Sequence, residues 1–185
     1  MKDSKQQLSP ISVILHWLVA ITVITLIAAG TYMVEFEDFS IYPIHKSIGM
    51  IIFDIILIRV AWRIYQGWPI PVNTYTKIEQ ILSKFVHWIL ILGTLLMPIS
   101  GMIMSAVGGY GLAVFGFELF AANFNAAGEA VAFNAQIAEI AHETHEIIGK
   151  IMIGAIILHI IGALKHHIVD QDGTLRRIYG INIEK

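Results

Sequence analysis

The 185-residue chain has no cysteine. Disulfides, iron–sulfur ligation and thiolate zinc sites are therefore excluded, as is covalent haem attachment through a C-x-x-C-H motif. Any metal or cofactor is left to histidine, carboxylate, methionine or tyrosine. Charge is scarce as well. Only 14% of residues are Asp, Glu, Lys or Arg, against 56% hydrophobic, whereas a soluble domain carries about 25% charged residues. A net charge of -2 with no basic face gives nucleic acid nothing to bind. Between residues 107 and 141 there is no Lys or Arg at all. Such scarcity marks an integral membrane protein whose first partner is the lipid bilayer.

Long uncharged runs take the place of charge. Ile11 to Val34 carries none. That exceeds a signal-peptide core of about 7–15 residues and meets the roughly 20 needed to cross a bilayer, so it reads as a retained span over 11–34. A second span fits 44–66, with Asp54 and Arg59 inside it. A third fits 83–106, ending where VGGYG breaks the pattern. A fourth fits 143–168, with its uncharged middle between Lys150 and Lys165. In the outer connection, 107–141, the stretch NAAGEAVAFNAQIAEIAHE predicts a short helix on the membrane surface. The whole chain, 1–185, reads as one domain, an all-α integral membrane four-helix bundle.

Lys2, Lys5, Arg59, Arg63, Lys77, Lys84, Lys165, Arg176, Arg177 and Lys185 fall on one side of these spans, and only Lys46 and Lys150 on the other. The basic side faces the cytoplasm. Both termini are therefore cytoplasmic, which agrees with an even number of spans.

The histidines then acquire depths. His45 opens the second span and His145 the fourth, both at the outer boundary. His16 and His159 sit equally far inside the inner boundary. His87 lies near the inner start of the third span, His142 one turn above His145, and His166 and His167 at the inner edge. From His145 to His159 is fourteen residues. On a helix that spacing leaves a residual of about 40° and spans about 21 Å, so both share one face at two levels. One helix can thus supply one axial ligand to each of two stacked cofactors. Haem b suits such sites: it is planar, takes two imidazoles and needs no covalent link. His16 is preferred over His87 as the partner of His159, on depth; His87 and His142 are the second choices. HETH is not a zinc motif, because its histidines are three apart rather than four.

Small residues fit the scheme. HKSIG at 45–49 and HEIIG at 145–149 place a glycine one turn after each outer histidine. Gly30 and Gly101 each lie fourteen residues after His16 and His87, leaving a gap at the other level. Arg59 stands fourteen residues after His45, on the same face at the inner level, and reads as a propionate partner. Asp54 reads as hydrogen-bonded to a neighbouring helix, and Trp17, Trp62, Trp68 and Trp88 as interfacial anchors.

ILHW in the first span, IHKSIG in the second, MPISG in the third and HEIIG…LHIIGALKHHI in the fourth resemble the bacterial cytochrome b561 family over essentially the whole chain. They also resemble the dihaem cytochrome b subunits of membrane hydrogenases and formate dehydrogenases. The resemblance implies two b haems, His16 and His159 holding the inner, His45 and His145 the outer. It implies a quinone-linked oxidoreductase of the respiratory chain, exchanging electrons with ubiquinone or another quinone, with superoxide as one external donor. The alternatives are a haem-bearing anchor subunit of a dehydrogenase or hydrogenase complex and, in another class, a histidine-lined metal-ion transporter. The donor stays open, as does a homodimer.

Overall fold

A computed structural model describes residues 2–183; Lys185, counted above with the basic side, lies outside them. The elements are α1 (Pro10–Glu35), α2 (Tyr42–Gln66), α3 (Lys77–Val107), β1 (Leu112–Val114), β2 (Phe117–Phe120), α4 (Ala135–Ile168) and α5 (Thr174–Ile178). The protein is mostly helical. Of the four long helices, α1, α3 and α4 are long and apolar enough to cross a membrane. α2 falls outside that set, because Lys46, Asp54, Arg59 and Arg63 interrupt its apolar residues. α1 packs along α2, α2 touches α3, and α3 packs along α4. Outward faces of these helices expose isoleucine and leucine, among them Ile14, Ile58, Leu92 and Ile157. Lipid suits such a surface.

Each start has a local cause. Ser9 Oγ accepts from Ser12 N at 3.3 Å and Pro10 follows it, so the first orphan donors of α1 are met or absent. Thr76 and Glu79 form a reciprocal capping box, which starts α3 six residues before the expected 83. Asn134 accepts from Ile137 N at 3.0 Å and starts α4 at Ala135, eight residues before the expected 143. Gly67, at φ +78°, ends α2 in a conformation that favours glycine.

The outer connection differs from expectation. There is no separate surface helix: QIAEIAHE forms the first turns of α4, since nothing in that Ala-rich stretch interrupts the helix that follows. The segment before it is a β-hairpin, so the chain is not wholly α. Val114 pairs with Phe117 across a two-residue loop in which Phe115 and Gly116 both have positive φ, as the favoured hairpin turn requires. Phe115 N donates to Ser47 Oγ at 2.9 Å, and Lys46 Nζ donates to Gly111 O at 3.0 Å. The hairpin is thereby fastened to the start of α2.

The opposite end is tied by both ends of the described chain. Ile183 N donates to Gln6 O at 3.2 Å, and Arg177 donates to the carbonyls of Lys5 and Ile70 at 3.1 and 2.8 Å. Trp17 donates to Ile178 O at 3.0 Å and Trp62 to Ser12 Oγ at 2.8 Å, so two expected interfacial anchors are knotted into this cap. At its centre Asp3 accepts from Ser9 N, Ser12 Oγ and Arg63 at 2.8–2.9 Å. Burial pushes the Asp3 carboxyl up, but these donors outweigh it and hold it below its ordinary 3.8. A depressed carboxylate contributes stability above its unfolded value, lost as pH falls through the folded one. Asp3→Asn therefore lowers the melting temperature at neutral pH, by the equivalent of about 1.5–3 kcal/mol for a charged hydrogen bond. The deficit relative to wild type shrinks once the pH is taken below 3.8; a deficit independent of pH would remove the ionised carboxylate from the account.

Candidate functional site

Four histidines face one another between α4 and the α1–α2 pair, at two levels. At the hairpin end, His45 of α2 and His145 of α4 have ring centres 6.5 Å apart. At the capped end, His16 of α1 and His159 of α4 have ring centres 6.3 Å apart. His87 of α3 joins the second level, 5.1 Å from His159 and edge-on to it. His142 and His167 are exposed, and His142 lies near enough to His145 to act on it electrostatically. His166 lies in the cap, 2.9 Å from Asp170 and 3.3 Å from Asp172.

These spacings discriminate. A bond from a first-row metal to imidazole nitrogen is about 2.0–2.1 Å, and the ring centre lies roughly 1.1 Å behind that nitrogen. Two imidazoles on opposite sides of one metal therefore centre about 6.3 Å apart. The pairs His16–His159 and His45–His145 meet that value, and His87–His159 is too close.

α3 supplies backbone and hydroxyl partners that orient the rings. His145 Nδ1 lies 2.8 Å from Met97 O and 3.2 Å from Ser100 Oγ. A carbonyl only accepts, so Nδ1 carries the proton and Nε2 is left bare. His87 Nδ1 likewise donates to Ser83 O at 2.6 Å. His45 Nδ1 is buried without a partner. Met97 and Ser100 lie in the MPISG stretch that carries the resemblance, but neither was assigned a role from it; Pro98, inside α3, was the available signal that the backbone there is irregular.

Glycines open the space beside the outer rings. A methyl at Gly30 would lie 3.6 Å from His45 Cε1, and one at Gly101 would lie 3.0 Å from His145 Cε1. Gly49 has nothing within 4 Å of a methyl position. It lines an apolar cleft with Val23, Leu26, Thr94, Met152 and the two outer histidines. His45 and His145 would hold the metal of a flat macrocycle beside this apolar cleft, His145 through the nitrogen that Met97 leaves bare.

Arg59 is half-buried on the inward side of α2 and donates to His16 Nδ1 at 3.1 Å. Among the described residues no carboxylate pairs with it, whereas Arg63 is paired with Asp3. Asp54 departs from expectation: it is exposed and hydrogen-bonds to no neighbouring helix among the described residues.

Helices apolar enough to cross a membrane, with histidines paired between them, define a helical protein of membrane-spanning type. The particular family follows from comparison. The family described as prokaryotic cytochrome b561 matches residues 7–180. The chain is also 31% identical over 183 residues to cytochrome b561 homolog 2 of Escherichia coli (strain K12), covering 96% of this chain and 94% of that protein. The chain belongs to the prokaryotic cytochrome b561 family, and is a membrane haem b electron-transfer protein.

The α3 contacts are testable. Gly101→Val drives a side chain into the His145 ring, so the reduced-minus-oxidised haem spectrum loses intensity relative to wild type. Gly154→Ala, whose methyl meets nothing within 4 Å, leaves it unchanged. An unaltered spectrum in Gly101→Val would show that α3 does not hold the ring.

Proposed function

We propose that the chain carries two b haems, one between His45 and His145 and one between His16 and His159, and moves electrons across the bacterial inner membrane to or from a quinone. The observation behind this reading is the pair of imidazole couples, at 6.5 and 6.3 Å, at two levels of one helix assembly. The haems supply the one-electron chemistry when bound; the protein sets ligands, spacing and access. His145 has the tautomer a metal-bound imidazole needs, its other nitrogen given to a carbonyl. All four long helices are spans in this reading, with α2 shielded between α1 and α3. The capped end, where the basic residues gather, is cytoplasmic.

Arg59 has a defined part. As an obligate donor it makes His16 Nδ1 an acceptor, which leaves the proton of a neutral His16 on Nε2. Ligation through Nε2 requires that proton on Nδ1 instead, and Arg59 then turns to an anion. A haem propionate is the anion such a site brings with it. Arg59→Gln keeps both haems and shifts one redox midpoint, because the uncompensated cation is gone. A titration in which neither component moves would remove Arg59 from the site.

The ligands are tested by haem stoichiometry and low-temperature EPR of the oxidised protein. Wild type gives two haems per chain and two low-spin signals. His145→Ala and His45→Ala lose one signal, His159→Ala and His16→Ala the other, since about 21 Å of helix separates the levels. His142→Ala and His87→Ala keep both. Loss of a signal in His142→Ala with retention in His145→Ala would overturn the outer assignment. One haem per chain in wild type would overturn the dihaem reading.

Superoxide is the external donor the resemblance suggests, and charge near the outer level bears on it. Of the two outer cations, Lys150 pairs with Glu146 on the exposed face. Lys46 is held by neutral groups, Ser105 Oγ at 3.2 Å, the carbonyls of Tyr110 and Gly111 at 3.3 and 3.0 Å and the Tyr42 ring, and by no carboxylate among the described residues. Lys46 thus provides the uncompensated charge. Lys46→Gln flattens the ionic-strength dependence of haem reduction by superoxide, and Lys150→Gln does not. A rate independent of salt in wild type would exclude electrostatic guidance.

A further inference from the structure

Asp54 is the thirteenth of the 25 residues of α2, which run from Tyr42 to Gln66. About 18 Å of helix lies on either side of it, the half-thickness of a spanning helix. It follows His45 by nine residues, which at about 100° per residue turns it half a revolution away. His45 faces the cleft, so Asp54 faces outward. The side chain is exposed and hydrogen-bonded to nothing among the described residues. Beside it on that face stand Ile51, Leu57 and Ile58, exposed at 42, 45 and 59%, and the exposed Ala61. Lys150, exposed near the middle of α4, is paired with Glu146, whereas among the described residues Asp54 has no ion-pair or hydrogen-bond partner. Arg59, the other such group at depth, is half-buried against His16.

A carboxyl on a hydrocarbon-facing surface is costly, and such groups are found covered by protein or water. We propose that this face of α2 is a lateral interface with a second copy of the chain, in which the two Asp54 side chains hydrogen-bond to each other. The occupant follows from depth and chemistry. Two copies in one membrane share orientation, and a two-fold axis along the membrane normal brings equal depths together. Asp54 then meets Asp54. A carboxylic acid offers one O–H donor and has acceptor oxygens to spare, so the pair is self-sufficient. A different membrane protein would have to bring its own donor to the same depth. Ile51 and Ile58 flank the contact with apolar surface, and Ala61 lets the helices approach closely below it.

The chain's lack of cysteine makes each introduced thiol unique. Ile58→Cys and, separately, Ile51→Cys are expressed in the full haem-loaded chain and oxidised in native membranes. Both give a disulfide-linked species of twice the monomer mass, and Ile153→Cys, on the exposed face of α4, does not. Adding Asp54→Leu to Ile58→Cys lowers the linked fraction about tenfold, the loss for one membrane-buried hydrogen bond between helices. Asp54→Asn, which still pairs by hydrogen bond, retains most of it. Haem content of each variant reports that the chain is intact. No dimer from either α2 thiol would overturn the proposal. So would equal linkage from Ile153→Cys, which signals random collision, or a linked species of another mass, which signals a different membrane partner. Unchanged linkage in Asp54→Leu would remove the carboxyl from the interface.

Discussion

An imidazole placed inside a membrane must give its N–H to something, and the architecture around His145 follows from that need. The acceptor is Met97 O, 2.8 Å away on α3. A backbone carbonyl can reach a ring on the next helix only if the two helices lie close. α3 and α4 lie close because glycine stands where they meet: Gly93 opposite Met152, Gly101 opposite His145 and Gly149 opposite Met97. The glycines therefore do more than clear space beside a cofactor. They set the distance at which α3 can hold the α4 ring in one tautomer, with the remaining nitrogen bare and aimed away from α3.

The close pairing of α3 with α4 has a counterpart in the separation of α4 from the other two helices. α1 packs along α2, and the opposed histidines of the two levels bridge between that pair and α4. Two packed halves with paired imidazoles between them make a frame with an apolar slot at the outer level, lined by Val23, Leu26, Thr94 and Met152, and between the levels Val19, Ile52 and Ile56 fill the core. The hairpin fastens one end of the frame through Ser47 and Lys46. The knot of Asp3, Arg63 and Arg177 with the C-terminal segment fastens the other. Both fastenings lie at the ends of the helices, where water can solvate their charges, and the slot between them is left apolar.

Much of this was legible from residue identity. The interval from His145 to His159 converts directly into angle and rise, because a helix has fixed geometry, and the structure places partners opposite both. Gly30 and Gly101 were found the same way and do stand beside the outer rings. Other features had no such handle. Met97 acts through a carbonyl that every residue possesses, so nothing in its identity marked it. The hairpin turns on Phe115–Gly116 rather than on Asn-Gly, and its strands are too short to show alternation. Asn134 sits in an Ala-rich stretch where a cap is hard to tell from a loop residue. His16 was preferred to His87 on depth alone; the structure, where three helices meet, brings both rings to His159, at 6.3 and 5.1 Å.

α2 shows how one helix reconciles opposite demands. By composition it falls short of a self-sufficient span, because Lys46, Asp54, Arg59 and Arg63 interrupt it, and two of these, Asp54 and Arg59, lie at depth. They are five residues apart, which at about 100° each places them roughly 140° apart around the axis. Arg59 therefore looks toward His16 while Asp54 looks away from the slot. An inward cation is stabilised by imidazole and by whatever anion the slot holds, so its cost is met within the chain. The outward carboxyl is exposed and has no hydrogen-bond or ion-pair partner among the described residues. Helical geometry thus turns the two groups to different sides of α2, and in the proposed arrangement Arg59 is satisfied inside the frame and Asp54 by a neighbour outside it.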